Sequence, residues 1–221
     1  MSDHFKTFIH NKQDEMPVPG IREFAFDFEK AQRKQSGNIT YLINQYGYRG
    51  NILPGGDAAF GCSYTFGFHL DEGLCWPSLM GIFNGAVCAI GNDAIARNAV
   101  SYIRNYRPNH IYVMWTFNSR REIVDETGRY LKFGPTMVSP NMSNTSVQYG
   151  QLLLNNQQAN DYNLEKNQLL VESVAGVYGT ILHQLHVDDW QPDAYPPLAL
   201  NDSHPGQLWH SKVAEHFSKQ V

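Results

Sequence analysis

Apolar positions along this 221-residue chain change their spacing several times, and the changes mark its elements. Residues 1 to about 50 keep no sustained period. They read as an N-terminal arm or cap, with a short helix near Phe24 to Arg33. Short apolar runs bounded by turn residues then begin. Asp57 to Cys62 reads as a strand, Pro77 to Phe83 as a helix with proline in its first turn, and Gly85 to Ile90 as a second strand. Helical spacing returns at Ile95, Ala99, Tyr102 and Ile103, giving a helix over Ala94 to Tyr106. Asn92-Asp93 can cap it and Pro108 ends it. His110 to Met114 is a third strand. From 119 to about 161 the period is lost, and Gly134-Pro135, Ser139-Pro140-Asn141 and Asn155 to Asn163 read as loops. Such a length suits a lid, a binding loop or a disordered insertion. Tyr130, Phe133, Met137, Met142 and Tyr149 would pack that loop down or line a groove. A long helix follows over about Tyr162 to Gln184, with Leu170, Val174, Val177, Ile181 and Leu185 as its core face. No clear strand precedes the last apolar-periodic segment, Leu208 to Phe217; Leu198-Ala199-Leu200 is very short.

Strands alternating with helices predict an α/β fold with a central parallel sheet. Ligands of such sheets bind beyond the carboxyl ends of the strands. Three polar or small residues follow predicted strand ends: Ser63, Gly91 and Asn118.

Ser63 lies in Gly61-Cys62-Ser63-Tyr64-Thr65-Phe66-Gly67, just after a buried strand. The flanking glycines permit a sharp turn and close approach of a ligand. A nucleophile fits this position; so does a plain helix N-cap. Far along the chain, Asn201-Asp202-Ser203-His204-Pro205-Gly206 precedes the last helix. An aspartate near a histidine can orient the imidazole as a general base. Alone it is also a common cap.

Together these segments resemble the SGNH (GDSL-like) hydrolase family. Gly-Cys-Ser-Tyr-Thr-Phe-Gly resembles the family's first block, Gly-Asp-Ser-x-Thr-x-Gly, with Cys62 in place of the aspartate and Ser63 on the nucleophile. Gly91 falls on the oxyanion-hole glycine of the second block. Thr116-Phe117-Asn118-Ser119 occupies the third, where Asn118 alone is retained. Asp202-Ser203-His204-Pro205 resembles the last block in its shorter form; in the longer form the acid position belongs to Asn201. Trp76-Pro77 and Tyr46-Gly47-Tyr48-Arg49-Gly50 resemble a subgroup frequent in bacterial and phage sequences. The resemblance runs from about Asn44 to the C-terminus. It implies a flavodoxin-like, three-layer α/β/α sandwich over 51–221 and a catalytic Ser63, His204 and Asp202, with Asn201 the alternative orienting residue. It also implies an oxyanion hole from Ser63, Gly91 and Asn118. The expected activity is hydrolysis of a short acyl ester, such as an O-acetyl group on a carbohydrate. An acyltransferase with the same triad, or a non-catalytic carbohydrate-binding or virion-associated module on the same fold, remains open. The Gly-x-Ser-x-Gly elbow of α/β-hydrolases is absent, since Thr65 holds its second glycine position.

Composition narrows the partners. A formal charge of −4 gives no basic field for nucleic acid. No run approaches the roughly 20 apolar residues that span a bilayer. The polar N-terminus lacks a signal-peptide core, which predicts a soluble, cytoplasmic or phage-encoded protein. Three cysteines, Cys62, Cys75 and Cys88, suggest a reducing compartment. His183 and His186, with Asp188-Asp189 nearby, are conceivable metal ligands, but no third ligand is recognisable and no metal or cofactor is expected.

Overall fold

A computed structural model describes residues 20–26, 37–44, 46–124, 130–133, 152, 155–190 and 204–220. Strand β1 (Gly20–Phe26) pairs antiparallel with β2 (Gly37–Ile43), from Gly20 opposite Ile43 to Phe26 opposite Gly37. The expected helix at Phe24 to Arg33 therefore does not start at Phe24, which is in a strand; residues 27–36 lie outside the described set. Alternate β2 residues Ile39, Tyr41 and Ile43 are buried against Phe66 and Ala86. That is the period of a strand lying on a core.

The central sheet is parallel. It comprises β3 (Ala58–Phe60), β4 (Phe83–Asn84), β5 (His110–Trp115) and β8 (Ile181–His186) in the order β4-β3-β5-β8. Ala58 pairs with Ile111, and β5 pairs with β8 from His110–Ile181 to Trp115–His186. The chain steps from β3 to one side, then crosses back to place β5 on the other. The carboxyl ends of β3 and β5 thus flank a topological switch point, the usual ligand crevice of such sheets.

Helices cover both faces. Tyr112 of β5 meets Phe217 of α5 (Gln207–Ser218) with ring centroids 5.2 Å apart. Trp76 of α2 (Trp76–Leu79) packs on the same Phe217 at 5.0 Å. On the opposite face Trp115 Nε1 donates to Gln184 (2.7 Å), which donates in turn to Glu172 of α4 (Gln157–Tyr178) at 2.8 Å. Helix α3 (Asn92–Tyr106) packs along α4. The fold is α/β, with helices flanking a four-stranded parallel sheet. Among the described residues no helix is long and apolar enough to cross a membrane.

Several elements differ from the sequence expectation. The second strand is Phe83–Asn84 rather than Gly85 to Ile90. The expected helix from Pro77 stops at Leu79, and the chain turns at Met80–Gly81. Backbone bonds from Gly85 to Ala59 (2.9 Å) and Val87 to Gly61 (3.2 Å) carry the pairing a little further. The long helix ends at Tyr178, where Gly179 takes a left-handed conformation and donates to Ala175 and Gly176 carbonyls. Ile181 and Leu185 therefore belong to β8, the strand that was not evident in the sequence. The buried stripe of α4 is Asn160, Asn163, Asn167, Val171 and Ala175, while Leu170 and Val177 are exposed. Buried asparagines are tolerable because their amides find partners. Arg121 donates to Asn160, Lys166 to Asn163, and Asn167 to Asp93.

The expected 119–161 loop contains the antiparallel pair β6 (Arg121–Val124) and β7 (Tyr130–Phe133), and α4 begins inside it. Tyr130 and Phe133 are the end residues of β7. Met137, Met142 and Tyr149 lie outside the described residues, as does Leu198-Ala199-Leu200.

Candidate active site

The turn after β3 leads straight into α1 (Ser63–Phe66), a single helical turn whose first residue is Ser63. A Cβ on Gly61 would lie 2.1 Å from Thr65 Oγ1 and 3.0 Å from the Met114 carbonyl. Only glycine lets the chain pass this close to β5. Gly67 ends the turn at φ +77, with its N–H on the Ser63 carbonyl.

His204 Nε2 sits 2.9 Å from Ser63 Oγ. The structure thus brings together two groups 141 residues apart in the chain. The contact suits a hydroxyl donating to an imidazole nitrogen, which leaves the ring hydrogen on Nδ1 for an orienting group. Asp202 and Asn201 lie outside the described residues. The imidazole is walled by Tyr64, Phe68 and His69, at centroid distances of 5.5, 5.1 and 6.0 Å. Burial, with smaller contributions from the nearby His69 and Arg120, pushes the His204 pKa down to about 4. Ser63 is itself buried.

His69 was not singled out in the sequence. It is buried, stacks on Phe68 at 4.0 Å, and holds φ at +66. Few residues other than glycine adopt a left-handed backbone, although histidine does so more readily than most. Its N–H donates to the Tyr41 hydroxyl of β2 at 2.5 Å. Arg49 anchors the same segment. It is fully buried and spends all five donors: Nε on Glu72, Nη1 on the Phe66 and Gly67 carbonyls, Nη2 on those of Leu70 and Asp71. Arg49 therefore has a structural reason to follow Gly47-Tyr48: it fixes the segment after the Ser63 turn.

Gly91 is the N-cap of α3, with no side-chain cap. Asn92 and Asp93, expected to cap this helix, work elsewhere. Asn92 accepts the Thr116 N–H (2.9 Å) and donates to the Thr116 carbonyl (3.0 Å), tying the start of α3 to the end of β5. Asp93 accepts the Glu122 N–H at 3.1 Å. A Cβ on Gly91 would lie 2.6 Å from the Arg120 carbonyl oxygen. The loop after β5 therefore rests directly on Gly91.

Asn118, in that loop, is held at both ends of its amide. Its Nδ2 donates to Asp161 at 2.6 Å, and its Oδ1 accepts from His186 Nε2 at 3.0 Å. His186 Nδ1 accepts the Asp188 N–H, which puts the ring hydrogen on Nε2. One amide hydrogen of Asn118 is left over. Arg120, two residues on, donates to Thr116 Oγ1 at 3.2 Å and lies 5.1 Å over the Phe117 ring. Phe117 meets Tyr64 at 6.0 Å, and Tyr64 borders His204.

His183 and His186 do not form a pair. On β8 their spacing of three turns them to opposite faces. His183 meets His110 (3.1 Å) and Gln220 (3.1 Å), while His186 meets Asn118. Among the described residues no group of three or more His, Cys, Asp or Glu side chains is arranged to hold a metal ion. A cavity of about 260 Å³, lined in part by Leu42, Arg49, Glu72, Ser78 and Asn84, reaches neither Ser63 nor His204.

No protein-family model matches the chain, and no curated protein matches it. Among solved structures it is similar to one described as "a putative lipolytic protein of G-D-S-L family from Desulfitobacterium hafniense DCB-2". The identity is 12% and the TM-score 0.38, over 76% of this chain and 100% of that one.

Proposed function

We propose that the chain is a serine esterase of the SGNH type acting on a short acyl ester. The observation that supports this most is the 2.9 Å approach of His204 Nε2 to Ser63 Oγ. In this reading His204 takes the Ser63 proton as Oγ attacks the ester carbonyl. The negative charge of the tetrahedral oxygen is met by the N–H groups of Ser63 and Gly91 and by the free amide hydrogen of Asn118. The imidazolium then gives its proton to the departing alcohol, and water, deprotonated by the same ring, releases the acid. Asp202 orients His204, with Asn201 the alternative. A base buried and kept neutral is ready to accept a proton at neutral pH, and the depressed His204 pKa is consistent with that.

The test is hydrolysis of p-nitrophenyl acetate by the wild type and by Ser63→Ala, with fluorophosphonate labelling as a second readout. Turnover and labelling should both vanish in the variant. Equal rates in the two proteins would end the esterase reading.

A further inference from the structure

The loop that carries Asn118 also brings a cation to the site. Among the described residues the other half-buried or buried arginines have fitted partners. Arg49 meets five acceptors, Arg97 pairs with Glu122 at 2.6 Å, and Arg121 bonds Asn160 and the Ala159 carbonyl. Arg120 differs. Among the described residues it donates once, to the Thr116 hydroxyl, and no carboxylate pairs with it. Its position is nonetheless fixed. Thr116 is fully buried, Phe117 supports the guanidinium, and the Arg120 backbone is pressed onto Gly91. A half-buried guanidinium held by one hydroxyl and one ring keeps donors to spare for a further acceptor.

We propose that Arg120 recognises a carboxylate on the substrate, so that the preferred ester carries an anionic group on its acyl or its alcohol side. This rests on the esterase reading of Ser63 and His204. The guanidinium fork suits two-point binding of a carboxylate. Arg120 is linked to His204 through successive ring contacts, Arg120 over Phe117 at 5.1 Å, Phe117 to Tyr64 at 6.0 Å and Tyr64 to His204 at 5.5 Å, and its carbonyl borders Gly91. Seating has a second effect. Arg120 and His69 are the charged and titratable groups that oppose protonation of His204. An anion on Arg120 cancels part of that field, so the base strengthens once substrate is bound.

The experiment compares kcat/KM for p-nitrophenyl hemiglutarate and 4-acetoxybenzoate, which carry a carboxylate on the acyl or the alcohol side. Their neutral counterparts are p-nitrophenyl butyrate and phenyl acetate. The expected result is that Arg120→Gln lowers the anionic-to-neutral ratio about tenfold for one of the two pairs, mainly through KM, and that Arg120→Lys restores part of it. An unchanged ratio in both pairs overturns the proposal, even with full esterase activity. Should no ester be turned over, the esterase reading fails and the carboxylate claim is read separately. Calorimetric titration of 4-acetoxybenzoate into Ser63→Ala should then show binding that Ser63→Ala/Arg120→Gln lacks. Equal binding, or none, overturns it.

Discussion

Asn118 donates its side-chain amide to Asp161 across 2.6 Å, joining the loop after β5 to the first turns of α4. With His186 on the other end, the amide is held on both sides. In the proposed reaction, donors fixed in advance act most strongly on a developing oxyanion. Asn118→Ala should lower kcat by about 10²–10³ with KM nearly unchanged. Asp161→Ala should give a smaller loss, about tenfold, again in kcat. Steady-state kinetics separates this from a purely structural tie, which would lower the melting temperature and leave kcat alone.

The pH dependence has a definite sign. Folding lowers the His204 pKa to about 4, chiefly through burial with His69 and Arg120 adding to it, and that of the fully buried His210 to about 3, again chiefly through burial. Unfolded, both titrate near 6.5. Between these values the unfolded chain binds protons that the folded chain refuses. Their contribution to stability is complete above about pH 6.5 and is lost as pH falls toward 4 and then 3, at about 1.4 kcal/mol per pH unit for each group. Urea melts between pH 4 and 7 should record the decline. The acid limb of kcat/KM should fall well below pH 6.5; a limb at or above that value would contradict the buried, neutral base.

Gly91→Ala places a methyl 2.6 Å from the Arg120 carbonyl oxygen and 2.9 Å from its carbon. Backbone on both sides cannot yield cheaply, so the loop carrying Asn118 and Arg120 must move. The expected outcome is a loss of esterase turnover of at least about tenfold, since a displacement near 1 Å can cost two decades. Circular dichroism would show the fold retained.

Arg49→Lys should destabilise the protein by at least about 1–3 kcal/mol, the usual cost of leaving a buried carbonyl acceptor unsatisfied. Lysine cannot serve five acceptors. Chemical denaturation measures the change, and limited proteolysis should find new cleavage in 66–72.

Asp202→Ala should cost far more turnover than Asn201→Ala. The reverse order, measured with the same ester, would assign the orienting role to Asn201.

The elements around Ser63 were legible because their signals are local. Glycines flanked Ser63, and the apolar face of α3 lies where its spacing predicts, with Ile95, Ala99, Tyr102 and Ile103 buried. Ser63 and His204 could be paired only through the resemblance, since nothing in local patterning measures a distance across 141 residues. The α4–β8 boundary was misread because Val177, Ile181 and Leu185 continue a helical spacing by accident. Gly179, a sound stop signal, carried the true boundary. The buried face of α4 escaped notice because it is made of asparagines, which hydropathy places in water; their burial depends on partners such as Arg121 and Asp93 on other elements. His69 and Arg120 gave no sequence signal, because a positive φ and, among the described residues, the lack of a carboxylate partner are properties of the folded chain alone.

At residue 69 the polypeptide's own preferences and the proposed chemistry pull in opposite directions. A histidine there at φ +66 is tolerated, not favoured. A library of variants screened for heat resistance should drift toward glycine or asparagine at this position, while one screened for turnover should keep the imidazole. Robustness and reactivity would then be traded at a single backbone angle.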